Sequence, residues 1–240
     1  EAQSQRAQAE DLIEFMLGDL RKKLDPVGRL DVLDSVGEKA LDYYAKQDAG
    51  RLDASALGHR SRAMHLIGEM RDQRGQLDAA LAAFQSAADT TAQLLTRAPD
   101  EGQRIFDHAQ SVYWVGYIAW RRGEVQAAEA AFLKYHELAQ QLVRIDASNL
   151  DWQLETAWAS QNLGVVQLER RRLAEALQSF TETKDVRLRL LPARPQLAYE
   201  LQDAHGWIAK TLEAAGDYRG ALGAQQQRLE VLHAMTDSAK

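Results

Sequence analysis

Apolar residues in this sequence recur at helical spacing almost from end to end. Leu12, Ile13, Phe15, Met16, Leu20 and Leu24 make one stripe, and Leu30, Leu33, Val36, Leu41 and Tyr44 make a second after Pro26. Side chains three and four residues apart share one face of a helix, so the two stripes predict an N-terminal pair of amphipathic helices. The chain has only four prolines, Pro26, Pro99, Pro192 and Pro195, and each falls where the periodicity breaks. Almost everything between them reads as helix, and no β-sheet is expected.

From about Ser61 the pattern repeats. Ile67-Gly68, Val115-Gly116 and Leu163-Gly164 recur at a step of 48 residues, and a fourth copy aligns at Ile208-Ala209. Seven residues beyond each small residue stand Gly75, Gly123, Arg171 and Gly216. A helix should end there, because the left-handed residue that closes a helix is most often glycine. An apolar residue follows at Leu77, Val125, Leu173 and Tyr218, then alanine at Ala80, Ala128, Ala176 and Ala221, then Phe84, Phe132, Phe180 and, in the last copy, Gln225. Two antiparallel helices approach closely only where small residues meet. Gly68, Gly116, Gly164 and Ala209 are therefore expected against the alanines of the second helix, with the phenylalanines filling the space between neighbouring hairpins. The missing aromatic at Gln225 fits a terminal copy that has no following neighbour. Units of this kind cannot bury their own faces alone and must stack.

The small-residue, turn, alanine and phenylalanine positions resemble the tetratricopeptide repeat, over about Ser61 to Lys240. The family's first aromatic is replaced by Met64, Val112, Ser160 and His205, and its tyrosine by Arg71, Ala119, Gln167 and Leu212. The long period is accounted for by a longer second helix, apolar at Leu94-Leu95, Leu142-Val143 and Leu190-Leu191 before Pro99, Ala147 and Pro195 close the units. The first helix also starts early, at the equivalent Phe106, Leu154 and Tyr199. The resemblance implies an all-α, right-handed α-solenoid of antiparallel helix hairpins. Its expected organisation is an N-terminal helical pair over residues 1–60, packed on four repeats at about 61–108, 109–156, 157–201 and 202–240.

The N-terminal stretch Leu12-Ile13-Glu14-Phe15-Met16-Leu17-Gly18-Asp19-Leu20, continued at Pro26-Val27-Gly28-Arg29-Leu30-Asp31-Val32-Leu33, is similar to the C-terminal repeat regions of large bacterial signalling proteins. Membrane-anchored serine/threonine kinases and other receptor-like proteins are among them. That resemblance, and a start at Glu1 rather than methionine, lead to the expectation of a processed chain or a piece of something longer. The compartment would be periplasmic or extracytoplasmic if the chain follows a membrane helix, and otherwise cytoplasmic.

Composition narrows the chemistry. The 240 residues are 45% hydrophobic, enough for a sizeable core, and no stretch approaches the roughly 18 apolar residues of a membrane span. Cysteine is absent, which removes disulfides, thiolate nucleophiles and cysteine-held zinc. The formal charge of -6 opposes the basic footprint that phosphate backbones require. The run Arg170, Arg171, Arg172 is the local exception, and it reads as a solvated cap complementing a helix dipole. His136-Glu137 begins the zinc-protease motif H-E-x-x-H, but residue 140 is glutamine, and the six histidines show no i, i+4 pairing. Glycine-rich phosphate loops are missing, and carboxylate pairs such as Glu69 with Asp72 have no marked nucleophile beside them. No catalytic residue, metal ligand or cofactor is assigned.

The positions from which tetratricopeptide proteins contact ligands select Arg62, His65, Glu69 and Asp72 in the first copy and Gln110, Tyr113, Tyr117 and Trp120 in the second. In the third they select Trp158, Gln161, Val165 and Leu168, and in the fourth Asp203, Gly206, Lys210 and Glu213. The candidate groove is Tyr113, Tyr117, Trp120, Trp158, Gln161, Arg62 and His65, aromatic in the middle and charged at the ends. Aromatic anchors bury much area with few torsions to freeze. The same rings could instead be interlayer core, and the sequence leaves both readings open. The lysine and asparagine clamp with which some family members hold a C-terminal carboxylate is not present. The expected function is a non-catalytic module, the sensory or interaction part of a larger bacterial signalling protein. It would bind a protein or peptide with an apolar or aromatic anchor. The alternative is a homodimerisation scaffold that brings attached signalling domains together.

Overall fold

The computed structural model describes residues 2–20, Lys23 and 34–237. Leu24, Leu30, Leu33 and the Pro26 turn lie outside them, as does the second part of the N-terminal signature. Among the described residues there is no strand, and ten α-helices follow one another. They divide into two compact units, residues 1–123 and residues 124–240.

The first unit holds α1 (Ala2–Phe15), which runs on into one π-helical stretch at Met16–Leu20, then α2 (Asp34–Ala45), α3 (Ala54–Gln73), α4 (Leu77–Arg97) and α5 (Gly102–Arg121). Helix α3 starts where the Asp53 carboxylate accepts from the Ala56 amide at 2.9 Å. The boundary drawn at residues 60/61 thus falls inside α3. The N-terminal stripe is read differently by the structure: Leu17 is buried, while Leu12 and Phe15 are exposed. Leu17 joins Ala40 and Tyr44 of α2 on Ala63, Met64 and Ile67 of α3 and Ala83 and Ala87 of α4. A second cluster sets Ala80 and Phe84 of α4 against Ile118 of α5.

The second unit holds α6 (Val125–Ile145), α7 (Leu150–Glu169), α8 (Leu173–Leu190), α9 (Ala198–Ala214) and α10 (Tyr218–Asp237). Within each unit, successive helices from α3 to α5 and from α6 to α10 pack against their neighbours in sequence. Helices joined by so short a turn run antiparallel. The Asn149 side chain caps α7 by accepting from the amides of Asp151 and Trp152, and Ala157, Val186, Leu190 and Leu197 form a core between α7, α8 and the turn before α9.

The helix ends follow the repeat. Gly75, Gly123 and Gly216 have φ of 72°, 77° and 82°, and Arg171 takes the same left-handed conformation at φ 59°. After α3 the Gln76 amide reaches back to the Arg71 carbonyl and the Gly75 amide to the Asp72 carbonyl, each at 2.9 Å. The same two bonds recur at Arg172 and Arg171, and at Asp217 and Gly216. This paired closure satisfies carbonyls that the last turn would otherwise leave open.

Two packing expectations need correction. The atoms nearest a side chain placed at Gly68 belong to the Phe84 ring, at 2.7 Å, and at Gly164 to the Phe180 ring, at 2.8 Å. The glycines are therefore clearances for an aromatic ring of the second helix, not seats for its alanines. The Arg170–Arg172 run is not simply solvated: Arg170 and Arg172 both engage the carboxylate of Glu129 on α6, which is only 5% exposed. A buried carboxylate is costly unless cations and donors surround it, and the two arginines supply both.

Candidate functional site

In the first unit the helices α3 and α5 leave a cleft of about 280 Å³, with Thr91 of α4 at its base. Arg62, His65 and Glu69 come from α3, Arg104, Asp107, Gln110 and Trp114 from α5. Arg62 and His65 thus line one cleft together with Trp114, Arg104 and Asp107, which the repeat register does not select. Arg62 is exposed and tied to the Glu14 carboxylate at 2.8 Å. His65 is half-buried, its ring edge on Phe84 and its Nε2 2.8 Å from the Ser111 hydroxyl. That hydroxyl donates to the Asp107 carbonyl at 3.0 Å, so the imidazole donates to it from Nε2. Burial pushes the His65 imidazole below its ordinary value near 6.5, against the raising pull of Glu69 and Asp107.

Beside this cleft α5 carries a run of aromatic rings. Residues 113, 117 and 120 fall one helical turn apart, on one stripe. Tyr113 stacks on Tyr117 with centroids 6.1 Å apart, and Tyr117 meets Trp120 at 6.3 Å. Trp114 bridges to the core: its edge meets Tyr117 at 5.6 Å, and its face lies on Phe84 at 5.0 Å, only 7° from parallel. The Arg121 guanidinium sits over Tyr117 at 5.9 Å and also pairs with Asp72 of α3. All four rings are half-buried. They are neither sunk in the core nor fully wet. Tyr117 also packs against the Ala80, Phe84 and Ile118 cluster, so it belongs to both surface and core.

In the second unit Trp158 and Gln161 lie on α7. Trp158 covers the guanidinium of Arg187 on α8 at 4.7 Å. Arg187 is fully buried, donates to the Glu200 carbonyl at 2.8 Å, and is held down to about 10 by burial, opposed by Glu200 and Asp203. Trp158 is thus the lid of a buried cation. The Gln161 Oε1 atom is buried without a hydrogen-bond partner among the described residues. The repeat register does not select Arg187, although its position is visible in the alignment: it stands seven residues after Phe180, as Thr91 stands seven after Phe84. On α8 and α9 the pattern of the first unit recurs, with Phe180 stacked on Trp207 at 5.4 Å and 12°. Lys210 sits over the same indole at 4.9 Å.

No family model matches the sequence, and no curated protein matches it. Solved structures do. BtubC (BKLC) from P. vanneervenii is 18% identical over 94% of this chain and 80% of its own, with a TM-score of 0.69. A Podosopora anserina kinesin light chain with nearly identical TPR-like repeats is 17% identical over 92% of this chain and 96% of its own, at 0.60. MamA is 15% identical over 90% and 95%, at 0.56. At such identities the likeness is one of fold, and it puts this all-α chain in the class of TPR-like α-solenoids built from antiparallel hairpins.

Proposed function

We propose that this chain is a non-catalytic module that binds a protein segment through the half-buried rings of α5 and the α3–α5 cleft. The observation that carries the reading is the run Tyr113, Tyr117 and Trp120 on one stripe, half-buried at every step. Rings in this state can still be desolvated by a ligand, which is what makes aromatic residues effective anchors. Glu69 and Asp107 beside Arg62 and Arg104 supply polar contacts at the cleft. The TPR-like fold supports an interaction role by analogy. The segment bound is one with an apolar or aromatic anchor. The N-terminal resemblance supports a setting within a larger bacterial signalling protein, and Trp158 with Gln161 offers a further contact surface on the second unit.

The test is Trp120→Ala, scored for thermal stability and for capture of proteins from a lysate of the source organism. A hot-spot ring costs on the order of 2 kcal/mol of binding when truncated. Retained stability with lost capture supports the reading. A core tryptophan would cost ~3 to 5 kcal/mol of folding free energy instead, and that outcome would move the binding surface elsewhere.

A further inference from the structure

The second unit carries a cleft of about 1020 Å³ between α6 and α8, the second helices of their repeats, with Thr156 of α7 in its lining. Thr156 and Trp158 are two residues apart, roughly 200° around the axis of α7, so this cleft is separate from the surface that carries Trp158. Its walls mix Val143, Leu177 and Val186 with charge.

Two carboxylates and two guanidiniums line the cleft, and only the carboxylates are paired. Glu182 pairs with His136 at 3.4 Å, and the His136 hydrogen bond holds its carboxyl below the usual range. Asp185 pairs with Lys184 at 2.9 Å. Both carboxylates that line the cleft are therefore occupied. Arg144 in the last turn of α6 and Arg189 in the last turn of α8 also line it, both exposed, and no hydrogen bond or ion pair is formed by either among the described residues. Each complements the negative end of its own helix, but a helix end leaves most of a guanidinium's five donors free.

We infer that the α6–α8 cleft is a second docking site, for an acidic peptide segment whose carboxylates meet Arg144 and Arg189 while its apolar side chains lie along Val143, Leu177 and Val186. Guanidinium and carboxylate match as planar, two-point partners. A volume near the upper end of small-molecule pockets suits a stretch of chain better than a metabolite. Two cations beside apolar walls are fewer than a phosphate backbone needs and suit a peptide instead.

The experiment uses the 240-residue chain and a short fluorescein-labelled peptide in which glutamates alternate with leucines, followed by fluorescence anisotropy. Its counterpart carries glutamine at every glutamate. The acidic peptide should bind at least about tenfold more tightly than the glutamine one, the loss expected for one charge-assisted hydrogen bond. Arg144→Gln with Arg189→Gln should remove that difference without changing the melting temperature by more than a few degrees, since both side chains are exposed. Trp120→Ala should leave it unchanged, which separates this site from the one on α5. The inference is overturned if the acidic peptide does not bind, or if the arginine variants bind it as tightly as the parent. It is equally overturned if affinity falls with Trp120→Ala instead, or if a DNA oligonucleotide displaces the peptide at equal concentration.

Discussion

The Phe180 ring occupies the space that a side chain on Gly164 would need, its Cε1 atom 2.8 Å from where a Cβ would stand. The other face of that ring's neighbourhood is the Trp207 indole of the next hairpin, stacked at 5.4 Å. One phenylalanine thus ties two hairpins, and it can do so only because the first helix of its own hairpin lacks a Cβ. Phe84 stands in the same relation to Gly68 and Trp114 in the first unit.

Gly164→Ala and Gly68→Ala should therefore destabilise, although alanine in place of a mid-helix glycine normally gains up to ~1 kcal/mol. The ring is backed by an indole and cannot give way cheaply, so a net loss of about 1 to 3 kcal/mol is expected, as for other overpacked sites. Gly223→Ala is the control. Nothing lies within 4 Å of a Cβ there, and the substitution should stabilise by about 0.5 to 1 kcal/mol. Urea unfolding of the three variants measures both signs, and equal shifts in all three would refute the clearance account.

Arg171→Gly should stabilise. Three of the four hairpin turns carry glycine at the left-handed position, and Arg171 alone is a side-chain residue there. That conformation costs a residue with a Cβ about 1 to 2 kcal/mol. The Glu129 clamp is made by Arg170 and Arg172 and is untouched by the change. A midpoint below that of the parent chain would show that the Arg171 side chain contributes more than its backbone loses.

These cases show what was legible in the sequence. Turn positions were legible, because a left-handed residue is a local demand and the repeat made it visible even where arginine fills it. The extended helices were legible too, from the apolar steps at Leu94, Leu142 and Leu190. Which partner each small residue faces was not, because it depends on the rotamer of a ring 16 residues away. Glu129 and Arg170 meet only once the end of α7 is packed against α6, and nothing in the spacing of 41 residues announces it. At the candidate site, the stripe Tyr113, Tyr117 and Trp120 followed from helical spacing. Trp114, Asp107 and the free arginines of the α6–α8 cleft required knowledge of which helix faces lie against each other.

Arg187→Ala should cost ~3 kcal/mol or more, whereas Arg187→Met should cost less. The alanine leaves a cavity under Trp158 and an unfilled acceptor at the Glu200 carbonyl. Methionine fills most of that volume and removes a buried charge, and replacing buried ionic groups by apolar ones of similar size is often neutral. Thermal melts of the two variants give the order. If the two cost the same, the volume does not decide, and the lost cation, through Glu200 and Asp203, accounts for the loss.

The pH dependence of stability should include a contribution from His65 whose sign is fixed by its environment. In the folded chain burial holds the imidazole below 6.5, while the unfolded chain titrates at the ordinary value. Above that value both states are neutral and the group adds no slope. As the pH falls through it, the unfolded state takes up a proton that the folded state refuses, so stability declines until the folded-state value is reached. The carboxylates facing the ring, Glu69 on its own helix and Asp107 on α5, pull the other way and reduce the effect without reversing it. His205 in the second unit is lowered by burial and by Lys184, so it adds a slope of the same sign. His65→Gln keeps a donor for the Ser111 hydroxyl and removes the titration. Its melting temperature should fall less than that of the parent chain between about pH 7 and pH 5, with the remaining slope carried by His205 and the carboxylates. Parallel curves for the two proteins over that range would mean that His65 is accessible to protons in the folded chain, and that the α3–α5 cleft is wetter than its geometry implies.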